Sequence, residues 1–250
     1  MATPSKSQLL NDVYTLLKKR YKLEARPGRP SVLEAVVYGI CHEGTTRGQA
    51  SQALNRFKDG FFDWNEVRVS SVDEIRTALV DLPDSEGKAQ RIRRFLRQLF
   101  EHTYGFTLES IVKKPQKEAL RDLQEFEAVE SDYVAASVVQ QALGGHAIPV
   151  DAPLRRALER LGAAEAGADA ATLRGALERA VPKNRGVEFT DLMEELVHDT
   201  CVAGVPDCPR CELRKICPTG RARLESDKKA ARVAARAAAK PAPPGPAPAP

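Results

Sequence analysis

No apolar run in the 250-residue chain approaches the ~20 residues that a membrane-spanning helix requires, and the run around Val36 and Val37 stops far short. No charged-then-apolar leader opens the sequence, so a soluble cytoplasmic protein with no membrane partner is expected. Cysteine is sparse: there are five, and four of them crowd into seventeen positions. That crowding excludes the disulfide framework of a secreted protein, whose bridges spread out to tie distant loops, and it points to metal binding. Alternation of apolar and polar residues, the mark of a half-buried strand, is missing, as is any repeat of fixed period. Lysine is absent from Glu118 through Pro182.

What is present reads as helix. Leu9, Leu10, Val13, Leu16 and Leu17 form one stripe, and Val72, Ile75, Leu79 and Leu82 another. The same spacing recurs over Ile92–Phe100, Val134–Leu143, Leu154–Leu161 and Leu173–Val181, between short breaks at Pro, Gly and Asp. Asp169 or Thr172 would start the last of these, since a short oxygen-bearing side chain satisfies free amides at a helix start. The fold expected is all-α, and 42% apolar residues suffice for one large core or two smaller ones.

A net charge of +4 leans mildly toward a polyanionic partner. From Lys228 the chain carries five basic residues and no acid before it becomes proline and alanine. Such a tail buries too little to offset its ordering entropy, so disorder is expected from Pro241 onward. Its role is either nonspecific phosphate contact or solubilisation.

The segment CVAGVPDCPRCELRKIC separates Cys201, Cys208, Cys211 and Cys217 by six, two and five residues, so one loop can wrap four soft ligands around a single centre. A 4Fe-4S cluster is expected. Zinc is the competitor, but a four-cysteine zinc site normally takes two knuckles, and only Cys208 and Cys211 make one. Cys41 stands apart and reads as a buried small side chain.

This spacing, placed after a helical region, resembles the cluster signature of the endonuclease III and adenine glycosylase branch of the helix-hairpin-helix DNA glycosylases. Two further stretches carry the resemblance in the same order. SEGKAQRI, with Lys88 and Ala89, is similar to a Lys-Ala helix start, and GGHAIPVDAPLRRALERLG is similar to the turn and helix that present the catalytic aspartate. The resemblance runs from about Pro30 to Cys217. It implies two helical domains with double-stranded DNA in the cleft between them. One would span 30–143, and the second 144–226 with the iron-sulfur loop; residues 1–29 would pack with the second, and 227–250 form the tail.

Asp151 falls at the position of the aspartate that, in this family, stabilises the sugar cation formed as the glycosidic bond breaks. Without the resemblance, Asp151 reads as a helix N-cap ahead of Pro153 and Leu154, and the two readings are compatible. Bifunctional members carry a lysine eighteen residues earlier, which here is Tyr133. The resemblance therefore implies a monofunctional glycosylase in which water is the nucleophile. Tyr133 would line the base pocket or be a core tyrosine.

The hairpin departs from the family. Where LPGVGRKTA is usual, this chain has FEAVESDYVAA, with Ala128 and Glu130 in the glycine positions and Glu127, Glu130 and Asp132 bringing negative charge. Basic elements elsewhere offer DNA contacts: Lys88, Arg91 and Arg94 in the helix KAQRIRRFLRQLF, and Arg210, Arg214 and Lys215 around the cysteines. His42, Glu43 and Gln49, in the early loop ICHEGTTRGQ, are candidates for the pocket or for filling the flipped-out base's vacancy. The preferred function is thus base-excision repair by a monomeric DNA glycosylase, nucleoid-associated if bacterial. The alternatives are a noncatalytic iron-sulfur DNA-scanning protein and an abasic-site lyase using another lysine. Spacing does not reveal the base.

Overall fold

The computed structural model describes residues 5–23 and 28–238, and among them no strand occurs. Twelve α-helices follow in order: α1 (Lys6–Arg20), α2 (Val32–His42), α3 (Arg47–Gly60), α4 (Trp64–Val69), α5 (Val72–Ala78), α6 (Ser85–Thr103), α7 (Gln116–Gln124), α8 (Asp132–Gln141), α9 (Ala152–Arg160), α10 (Ala170–Ala180), α11 (Gly186–Asp199) and α12 (Pro218–Ala238). The all-α expectation holds. None of these helices is long and apolar enough to cross a membrane.

Local chemistry explains most helix starts. Ser31, Thr46 and Ser71 each accept a backbone N–H three residues on, while Glu34, Gln49 and Glu74 reach back to the cap amide, closing reciprocal capping boxes on α2, α3 and α5. Asp169 caps α10 through the Thr172 amide at 2.8 Å. Each such cap contributes ~1 kcal/mol.

The buried residues form two main cores. The first draws only on residues 32–142 and surrounds α2, most of whose side chains are buried. Helix α8 crosses α2 at Gly39, where an added Cβ would lie 3.3 Å from Val134 Cγ1 and 3.6 Å from Ser137 Cβ. The second joins Leu10, Val13 and Leu17 of α1 to residues 148–217 from α9, α10, α11 and the segment beyond. Each fully buried Leu, Val or Ile in these cores contributes ~1.5–3 kcal/mol.

Helix α12 continues past Asp227 to Ala238, so the basic stretch beginning at Lys228 opens as helix. The disorder expected from Pro241 lies outside the described residues.

Candidate active site

A cavity of about 250 Å³ opens where the loop after α2, the start of α8 and the start of α9 meet, lined by Glu43, Gly44, Ser131, Tyr133, Asp151 and Arg155 among others. Asp151 is there because Pro153 and the helix behind it need a cap: its Oδ1 accepts the Leu154 N–H at 2.9 Å. Burial pushes its carboxyl pKa up, while the amides of Leu154 and Gly44 and the charge of His42 pull the other way. The result is a partly desolvated carboxyl at the positive end of a helix, facing a cavity.

Tyr133, in the first turn of α8, is buried, and its hydroxyl lies 2.9 Å from His42 Nδ1. The other imidazole nitrogen, Nε2, lies 3.2 Å from Glu194 Oε1 on α11. Burial raises the Tyr133 phenol well above its ordinary pKa. Glu43 is held by Ser131 Oγ at 2.6 Å and Arg91 at 2.8 Å. Of the early-loop candidates, Glu43 lines the cavity and His42 stands behind Tyr133. Gln49 instead serves as the N3 residue of the α3 capping box.

Several groups went unrecognised in the sequence. Glu194 and Asp191 sit one helical turn apart on α11, and both approach Arg47 at the start of α3. The available signal was a pair of acids at i and i+3, which share one face of α11 with His198. Arg174 of α10 grips Asp132 with two hydrogen bonds of 2.9 Å.

The hairpin between α7 and α8 is built without glycine because no residue in it takes a positive φ; Glu127–Val129 make a single 3-10 turn. Its acids are largely paired, Glu127 with Arg94 at 2.8 Å and Asp132 with Arg174. Lys88 is buried, and its ammonium donates to the carbonyls of Ile40, Cys41 and Glu43 at 2.7, 3.2 and 2.8 Å, so it closes the end of α2 and has no proton left for a phosphate. Arg91 is bound to Glu43 and the Ala128 carbonyl. Arg210 pairs with Asp199 and Asp207, and Arg214 donates to the Cys211 carbonyl. Lys215 is exposed.

The iron-sulfur expectation is corrected. Among the described residues no group of three or more His, Cys, Asp or Glu side chains is disposed to hold a metal ion. Cys201, Cys208, Cys211 and Cys217 therefore make neither a 4Fe-4S site nor an iron-sulfur loop in this structure, and the metal-binding reading falls with them. Two of the thiols are engaged by the protein itself. Cys217 Sγ donates to the Arg160 carbonyl at 3.1 Å and Cys201 Sγ accepts from Arg160 Nη1 at 3.5 Å. Burial raises the Cys208, Cys211 and Cys217 thiols, and neighbouring cysteines add to the effect. Leu213, between the third and fourth cysteines, is packed into the second core. Cys41 is fully buried, and burial lifts its thiol to about 12.

The helical order is a fold shared with solved structures of endonuclease III and of a thymine-DNA glycosylase. Endonuclease III in a trapped covalent intermediate with DNA superposes with a TM-score of 0.69 at 18% identity, covering 89% of this chain and 100% of that one. Its non-covalent complex with DNA gives 0.71 over the same shares, also at 18% identity. A thermostable thymine-DNA glycosylase gives 0.63 at 19% identity, covering 86% of this chain and 97% of that one. No protein-family model matches the chain, and no curated protein does. The likeness is therefore one of fold, and the narrower assignment to a branch bearing a 4Fe-4S cluster is withdrawn on the cysteine geometry.

Proposed function

We propose that this protein is a monofunctional DNA glycosylase of base-excision repair, acting as a monomer in the cytoplasm on a base turned out of double-stranded DNA. The observation that carries the reading is Asp151, a partly desolvated carboxyl held at a helix start in the wall of a cavity of about 250 Å³. As the N-glycosyl bond breaks, the base leaves with the bonding electron pair and the sugar becomes cationic. The Asp151 carboxylate stabilises that cation, and water adds to the sugar carbon with loss of a proton. Tyr133 stands eighteen residues before Asp151, where the family resemblance puts the Schiff-base lysine, so strand cleavage by elimination is not expected.

The test is a panel of duplexes bearing oxidised pyrimidines, adenine mispairs, uracil or abasic sites, scored for base release and strand nicking. Asp151→Asn should abolish base release and leave DNA affinity intact. Release that survives the substitution removes Asp151 from the mechanism. Borohydride should trap no covalent adduct, and efficient trapping would show that a lysine elsewhere reaches the sugar.

One observation favours a second reading, a noncatalytic DNA-binding protein. The hairpin carries Glu127, Glu130 and Asp132 where a phosphate would dock, and lacks the glycines that let backbone amides approach it. Tight duplex binding with no release from any member of the panel would favour it.

A further inference from the structure

Behind the cavity wall runs a chain of three polar groups drawn from three helices: the partly buried Glu194 of α11 and the buried His42 of α2 and Tyr133 of α8. We propose that Glu194 and His42 are positioning residues for Tyr133, fixing His42 as its Nε2-protonated tautomer and committing the phenol proton to His42 Nδ1. Tyr133 then gives the cavity a fixed aromatic wall and no proton. The inference rests on the glycosylase reading only in treating the cavity as a base pocket.

The chain's direction follows from its outer end. Glu194 Oε1 accepts the Arg47 backbone N–H at 2.6 Å and lies 3.2 Å from His42 Nε2. Burial pushes Glu194 toward the neutral form, but the hydrogen bond from His42, with the amide and guanidinium of Arg47, holds its carboxyl below the usual range. An ionised carboxylate has no proton to give, so Nε2 must carry one. At a pH above the ordinary histidine range the imidazole is neutral and has a single N–H, which leaves Nδ1 as an acceptor. The group 2.9 Å from Nδ1 is the Tyr133 hydroxyl, which must then be the donor.

The surroundings leave few alternatives. The Tyr38 ring packs against the imidazole with centroids 5.2 Å apart. Two carboxylates face Tyr133 from the cavity: Glu43 is occupied by Ser131 and Arg91, and Asp151 accepts the Leu154 N–H. Because α2 and α8 belong to the first core and α11 to the second, the chain ties the wall of the cavity to both.

The direct test is nitrogen NMR of the four histidine side chains in the full-length protein at about pH 8, above the ordinary histidine range. The signal lost in His42→Gln identifies the residue. The expected result is an Nε2–H tautomer in the wild type that moves to Nδ1–H in Glu194→Gln, whose amide N–H would donate to Nε2. An Nδ1–H tautomer in the wild type, or one unmoved by Glu194→Gln, overturns the proposal.

Single-turnover base release provides the second arm. Tyr133→Phe keeps the ring and loses the tether, so the rate should fall by less than about tenfold. Tyr133→Ala removes the wall and should lose ~10–100-fold. Equal losses in the two variants would mean that the phenol proton acts in the reaction, against the proposal. If the wild type releases no base from any duplex, the glycosylase reading fails, while the tautomer measurement still decides the positioning chain.

Discussion

Lys88 shows how a charge legible in the sequence acquires its role from burial. At the head of a basic helix it suggests a phosphate contact, but in the fold it satisfies three carbonyls at the end of α2, where helix geometry leaves acceptors unpaired. Burial accordingly lowers its pKa. Lys88→Met should keep the volume and strand the carbonyls, costing ~1–3 kcal/mol in urea unfolding. Asp151 gives a prediction of the opposite sign. Its carboxyl pKa is raised by burial, so its contribution to stability is fully present below the unfolded value of about 3.9 and is lost as pH rises through the folded one. Asp151→Asn retains a capping side chain without the charge. It should therefore raise the melting temperature at neutral pH, with the gain shrinking toward zero as the pH falls below about 4. A gain that persists at low pH would place its origin elsewhere. Asp151 was legible because a cap has a local signature, whereas Glu194 was not, because its partners His42 and Arg47 lie some 150 positions away.

At the scale of elements, the helices and their caps were readable because 3.6-residue periodicity and N-cap chemistry are local. The hairpin was readable only as a departure. Its missing glycines signalled a changed turn, but that a 3-10 turn replaces them, and that Arg94 and Arg174 take up its acids, depends on α6 and α10 arriving from other parts of the chain. The cysteine segment misled for a related reason: spacing states what a loop can wrap, while the packing of Leu213 and the bonds to Arg160 decide what it does. The crossing of α2 and α8 is also invisible in sequence. A glycine inside a helix costs ~1 kcal/mol relative to alanine, yet Gly39 sits where Val134 and Ser137 press closest. Gly39→Leu should overpack this crossing and cost ~1–3 kcal/mol. The matching observation is a lower urea midpoint with an unchanged slope, since a changed slope would indicate a different compactness instead.

For the molecule as a whole, the two cores differ in how the chain enters them. The first is contiguous, whereas the second pairs α1 with helices more than a hundred residues later, and Arg20 and Tyr21 both reach Asp199 at the end of α11. During synthesis α1 leaves the ribosome early, with one apolar face uncovered and its partners unmade. The entropy of closing so long a loop must be met before any contact rewards it. The first core should therefore consolidate ahead of the second, and pulsed hydrogen exchange during refolding should protect α2 and α8 before α1 and α11. Until α9, α10 and α11 arrive, α1 is an unpaired amphipathic segment whose bare apolar stripe is a surface a chaperone can hold.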